Sequence, residues 1–128
     1  MKEINEYDSN LDEPEMEICK ELHQIINQYL INSTSKLYHS APVWFIENNP
    51  IVGYSKKKEG VALLFWSGQG FSIRGLKPIG KHKAAEIIYQ NLQSINKEEL
   101  AAWLQESIKI QYNYKEIIKN EGEFKLLK

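Results

Sequence analysis

Apolar residues recur at Met16, Cys19, Leu22, Ile26 and Tyr29, the three-and-four spacing that lines one face of a helix. Asp12, Glu13, Pro14 and Glu15 precede them, a start signal of cap residue, proline and acids. A helix is therefore predicted over Glu13 to Leu30. From Ser35 to Ser67 the pattern shortens to β-branched and aromatic runs between turn residues: Lys36 to Tyr38, Val43 to Ile46, Ile51 to Tyr54 and Val61 to Trp66. Such runs predict an antiparallel meander. Beyond a loop over Gly68 to Lys83, the Ile-Ile-Tyr of Ala84 to Gln90 predicts one more strand. The last element opens on Asn96 with Glu99 three residues on, a capping pair. Leu100, Trp103, Leu104, Ile108, Gln111, Tyr114 and Ile118 continue it as a long amphipathic helix ending near Asn120 to Gly122. The order gives an α+β fold, an antiparallel meander flanked by an N-terminal helix and a long C-terminal helix. Residues 1–12 are expected as a flexible acidic N-terminus and 13–128 as a single domain.

Tight turns give the strands an expected register. Gly60 after Lys57-Lys58-Glu59 suits a type I turn with glycine in the left-handed position, which sets Tyr54 opposite Leu64 and Val52 opposite Trp66. A turn at Asn48-Asn49 sets Trp44 opposite Gly53 and Ile46 opposite Ile51. One face then carries Trp44, Ile46, Ile51, Leu63 and Phe65, with Gly53 leaving room for a ring. The other carries Val43, Phe45, Val52, Tyr54, Leu64 and Trp66. Both faces are apolar, so the second needs a cover. Three covers are open: the loop folding back through Phe71, Ile73 and Leu76, a second subunit in a homodimer, or a ligand in an aromatic-lined concavity. Tyr38, His39, Trp44, Tyr54 and Trp66 are the candidate residues of that pocket or interface.

Composition narrows the classes. The chain has 128 residues, 42% hydrophobic and 26% charged, with mean hydropathy −0.48, the profile of one globular domain. The longest unbroken apolar run, Val61 to Trp66, is far short of the roughly 20 residues a membrane span needs. The first residues are polar and acidic, unlike a secretory signal. A lone Cys19 suits a reducing cytosol, so the protein is expected to be cytoplasmic, without a membrane partner.

Chemical motifs are missing from the pattern. There is no G-x-S-x-G elbow, and Cys19 falls on the apolar phase of the first helix, where a thiol is inert packing. Cys19 and His23, four apart, offer two ligands and no full metal set, while His39 and His82 have no zinc-binding spacing. Gly68, Gly70 and Gly75 match neither a dinucleotide loop nor a Walker loop. The expectation is no enzyme, no catalytic residue and no required cofactor.

Charge alters that picture locally. The net charge is −1, which hides an acidic start and a basic loop. Glu13, Glu17 and Glu21 repeat every four residues as one stripe of a helix, able to hold a hard cation weakly through oxygen ligands; they are the candidate metal site. Arg74, Lys77, Lys81 and Lys83 lie together with no intervening acid and are a candidate anion loop. Arg74 is the lone arginine, which argues against bidentate base reading and hence against a nucleic-acid partner.

The segment SKLYHSAPVWFIENNPIVGYSKKKEGVALLFWSG, followed by KAAEIIY and LAAWLQESIKIQYNYKEIIK, resembles the YdhG-like family, domain of unknown function 1801. The likeness covers residues 13–120, and its most specific pieces are Tyr38-His39, Pro42-Val43-Trp44-Phe45 and Gly53-Tyr54-Ser55. It implies a helix-flanked antiparallel sheet. One branch of that family is described as a frataxin-like iron chaperone, which implies an iron role without a ligand motif that maps onto this chain. Ala41 stands where relatives often carry histidine before the proline. The expected function is a non-enzymatic binding or accessory protein, with weak iron binding by the acidic stripe as its concrete form. A small-molecule sensor or carrier for an anionic or aromatic ligand, or a simple homodimeric module, are the alternatives.

Overall fold

The computed structural model describes residues 2–80 and 82–114. Two helices, α1 (Lys2–Ser9) and α2 (Glu15–Tyr29), precede four strands, β1 (Thr34–Tyr38), β2 (Ala41–Ile46), β3 (Asn49–Lys57) and β4 (Gly60–Phe65). A loop carries the short β5 (Lys77–Pro78), then β6 (Ala85–Tyr89) leads to α3 (Lys97–Lys109). The strands form one antiparallel sheet in the order β1-β2-β3-β4-β6-β5. The fold class is the expected α+β, with the helices packed through Ile18, Leu22, Ile26, Leu100, Trp103 and Leu104 against one sheet face.

Residues 2–9, expected within a flexible N-terminus, form α1. Ile4 is buried in the core and Asp8 is buried beside it, and those two inward positions, four apart, give the short helix a face to dock. The strands shift from the expected register. The β2–β3 turn is Glu47-Asn48, both at positive φ, a two-residue loop whose twist suits a hairpin. It falls one residue earlier than Asn48-Asn49. Trp44 faces Val52, but Phe45 faces Pro50, so Ile51 is the extra residue of a bulge. A bulge is where a strand tolerates a proline that cannot donate. The β3–β4 loop is Lys58-Glu59, with Lys57 opposite Gly60, which sets Tyr54 opposite Leu63 and Val52 opposite Phe65.

A one-residue slip exchanges sheet faces. Val52 and Tyr54 thus join Trp44, Leu63 and Phe65 on the helix side, not the second face. Gly53 lies across from Val43, where a Cβ would come 2.5 Å from the Pro42 carbonyl oxygen and 2.9 Å from Val43 Cγ2. Its role is close strand approach, not space for a ring. Phe71, Ile73 and Leu76 pack against the helix-side core, with Phe71 edge-on to Phe65 at 5.5 Å. The loop therefore does not supply its apolar side chains to the second face.

The cap at Asn96 forms as expected, its Oδ1 accepting from the Glu99 N–H at 3.1 Å. The helix, however, ends at Lys109; Gln111 and Tyr114 lie beyond it, and Ile118 lies outside the described residues. The physical reason is tertiary. Buried Asn49 donates Nδ2–H to the Tyr112 carbonyl at 2.9 Å and accepts at Oδ1 from the Tyr114 N–H at 3.0 Å. Ser67 Oγ accepts from the Tyr112 N–H at 2.9 Å. These side chains hold the backbone that follows α3 in a path outside the α-helix. Replacing Asn49 by Ala should therefore cost about 2 kcal/mol, the loss of two hydrogen bonds made by a buried side chain. A urea unfolding midpoint measures this, and an unchanged midpoint would show that the residues after α3 do not depend on Asn49.

Candidate functional site

The second sheet face carries Lys36, Val43, Gly53, Leu64 and Glu86 along one row, and Ser55, Ala62 and Ile88 along the next. Its centre is closed by short contacts: Val43 and Phe45 are 2% and 5% exposed. Phe45 has the Lys36 ammonium 4.9 Å from its ring centroid and the Tyr38 ring edge-on at 5.4 Å. The large side chains left open lie toward the two edges, Tyr38 at 38% and Ile88 at 37% exposure.

Beside Tyr38 the small residues leave a groove of about 260 Å³, bounded by Tyr38, His39, Ser55, Lys57, Leu64 and Trp66 among others. Local sequence builds each wall. His39 and Ser40, both at positive φ, form the two-residue turn that folds Tyr38 over Ala41 and holds its ring against His39 at 4.3 Å between centroids. Ser55 and Lys57 share the outward phase of β3 with Gly53. Trp66 follows β4, tied by its N–H to the Ile51 carbonyl at 3.0 Å and by its own carbonyl to the Tyr114 hydroxyl. Among the described residues, no carboxylate lines this groove.

Of the expected pocket residues, Tyr38, His39 and Trp66 meet here. Tyr54 borders the groove only along its strand, because its ring points into the helix-side core. Trp44 is absent from it and fully buried. Both belong to a polar network that periodicity could not reveal. Asp8, 1% exposed, accepts from the Tyr54 hydroxyl at 2.7 Å and from His23 Nδ1 at 3.2 Å. Trp44 packs between Tyr54 at 5.7 Å and His23 at 5.6 Å, and its Nε1–H donates to Asn27 Oδ1 at 2.8 Å. The signal in the sequence was the single acid placed four residues after an apolar Ile4.

The charged candidates disperse. Glu13 lies before α2, which starts at Glu15, so it does not continue the helical ladder of Glu17 and Glu21. Glu21 pairs with Lys97 at 3.4 Å. Among the described residues, no three His, Cys, Asp or Glu side chains gather in one place, and Glu13 stands apart from Glu17 and Glu21. The anion loop is likewise spread out. Lys77 stands opposite Glu86 across β5–β6, and the Lys83 ammonium sits 5.3 Å from the Tyr112 ring centroid. Arg74 is exposed at a separate cavity, and Lys81 lies outside the described residues. Cys19 is buried, and desolvation, with Asp8 and Glu15 adding to it, raises its thiol pKa, as inert packing requires. No helix among the described residues is long and apolar enough to cross a membrane.

No family model matches the sequence, and no curated protein matches it. Among solved structures, the chain is similar to YdhG of Bacillus subtilis, a protein of the DUF1801 family. The TM-score is 0.59 and the identity 14%, with 94% of this chain and 93% of that one covered. The two share a fold, a helix-flanked antiparallel sheet, as the sequence resemblance implied.

The buried tyrosines carry a pH signature. Desolvation is the largest cause raising Tyr7, Tyr54 and Tyr89 above their ordinary value of 10.0, and the Asp8 charge adds to it at Tyr54. Tyr114 is pushed up to about 12, again chiefly by burial. A group that holds its proton more tightly when folded stabilises fully below its unfolded pKa, and that stability is lost as pH rises through the folded value. Stability should thus hold through pH 9 and decline above pH 10. Absorbance titration at alkaline pH should show these four ionising late, and all seven tyrosines of the chain titrating together near 10 in the native state would contradict it. Asp8→Ala, which strands the Tyr54 hydroxyl and His23, should cost about 3 kcal/mol in urea unfolding, whereas Asp8→Asn, which keeps an acceptor, should cost less.

Proposed function

We propose that the protein is a non-enzymatic binding module that takes a small aromatic anion in the groove on the second sheet face. One observation carries this reading: Tyr38, Trp66 and Lys57 border the same groove, and no carboxylate among the described residues lines it. Aromatic rings accept a planar ligand through their faces and edges, while a lysine at the rim pairs with its negative end. The acidic-stripe reading for iron has less support, since Glu13 lies outside the helix and Glu21 is engaged by Lys97. The shared fold does not choose among activities, because function resides in the site rather than in the architecture. The lone buried thiol fits a reducing compartment such as the cytosol.

Benzoate is the probe. It should raise the melting temperature at millimolar concentration by mass action, and calorimetry should give a Kd that Lys57→Ala weakens about tenfold, the loss of one charge-assisted hydrogen bond. Lys57 is exposed, so that substitution leaves the fold intact. Benzoate binding that ignores Lys57, or none at all, would end this reading. A molar mass of two chains by light scattering that falls on Tyr38→Ser would instead assign the face to a homodimer.

A further inference from the structure

A cavity of about 300 Å³ opens between α1 and α2, lined by Asn5 and Asp8 from the first helix and Lys20, His23, Gln24 and Asn27 from the second. Its size lies at the small end of small-molecule sites, about 300–1,000 Å³. Among the described residues, every one that lines it is polar. On α2 they follow Lys20 at steps of three, four and seven, which sets them on one helical face. That face runs beside the apolar stripe of Ile18, Cys19, Leu22 and Ile26.

Two of these residues are fixed by their partners, and the fixing decides what each presents. Trp44 Nε1–H can only donate, so Asn27 turns Oδ1 toward it at 2.8 Å and keeps its amide N–H groups to give. Asp8, 1% exposed, accepts from the Tyr54 hydroxyl at 2.7 Å and from His23 Nδ1 at 3.2 Å. A carboxylate only accepts, so Nδ1 carries the ring proton, and Nε2, on the side away from Asp8, is the acceptor of the neutral imidazole. The Trp44 ring packs edge-on against that imidazole at 5.6 Å. A fixed donor and a fixed acceptor thus stand one helical turn apart. Around them Asn5 and Gln24, both exposed, each add a carboxamide that donates and accepts.

We propose that the cavity between α1 and α2 binds a neutral polyol, a sugar or cyclitol. A hydroxyl both donates and accepts, so neighbouring hydroxyls answer the Asn27 donor and the His23 acceptor together. The charges favour a neutral ligand. Lys20 opposes a cation and Asp8 opposes an anion across the same cavity, and Glu17 and Glu21 stand beside Lys20 in the adjoining recess. Apart from the imidazole, no aromatic ring among the described residues lines the walls, so a flat aromatic ligand has little to stack on. None of the six residues lines the groove proposed for benzoate, and the two sites are independent.

Glucose and myo-inositol test this on the full chain. Cyclohexanol, a ring with one hydroxyl, and inorganic phosphate, a charged ligand, are the controls. Polyols raise melting temperatures in general by exclusion from protein surfaces, so the readout is the NMR resonances of the Asn27 side-chain amide and the Trp44 indole N–H. Asn27→Ala assigns both, since it deletes the first and displaces the second. Glucose or myo-inositol should shift the two resonances to saturation at millimolar concentration and leave the other two indoles in place. Asn5→Ala combined with Gln24→Ala, at exposed positions, should raise the Kd about tenfold, whereas Lys57→Ala should leave it unchanged. If neither polyol moves the resonances, or the double variant binds as the wild type does, the proposal is overturned. Saturation by cyclohexanol or phosphate at lower concentration than by either polyol overturns it too, because ring packing or the Lys20 charge would then set recognition.

Discussion

A carboxylate in an apolar core persists only where its oxygens are hydrogen-bonded, and Asp8 meets that condition with partners from two other elements. The Tyr54 hydroxyl comes from β3 and the His23 ring nitrogen from α2. This one side chain therefore ties α1, α2 and the sheet together. It also fixes which way Tyr54 points, and Trp44, packed between Tyr54 and His23, points with it. Once those two rings belong to the helix side, the alternation of β2, β3 and β4 leaves Val43, Gly53, Ser55 and Leu64 for the other side. The groove beside Tyr38 follows from that assignment.

Two more polar side chains act the same way at a distance. Asn49 holds the backbone of Tyr112 and Tyr114, and Glu106 holds Ser72 and Ile73. Each fixes a segment without regular secondary structure, far away in sequence, which local propensity leaves undetermined. Backbone groups there still need partners, and these carboxamide and carboxylate groups provide them. Among the described residues, one recess lies beside Tyr38, Ser55, Lys57, Leu64 and Trp66, and another beside Phe71, Ile73, Arg74 and Leu76.

The fold similarity to YdhG at 14% identity agrees with this division of labour. Layering of helices on one face of an antiparallel sheet depends on the placement of apolar residues, which many sequences satisfy. Side-chain chemistry in the recesses depends on individual residues, and it is there that proteins sharing a fold diverge in function.

Period alone placed α2, the four-strand meander, β6 and the start of α3, because burial imposes a spacing of 3.6 or 2 on any element that packs one face. The Asn96 cap was legible for the same local reason, a side chain bonding a backbone group three residues away. Register was not legible. The turns at Glu47-Asn48 and Lys58-Glu59 each sit one residue from the sites that asparagine and glycine suggested, and one residue exchanges the faces of a strand. The end of α3 at Lys109 was equally out of reach, since it depends on partners far away in the chain. The sequence by itself determined α2, the strands of the meander, β6 and the start of α3, but neither α1 nor β5 nor the end of α3. Only the tertiary structure decided which aromatic ring faces which side, because that choice rests on where a buried carboxylate finds its hydrogen bonds.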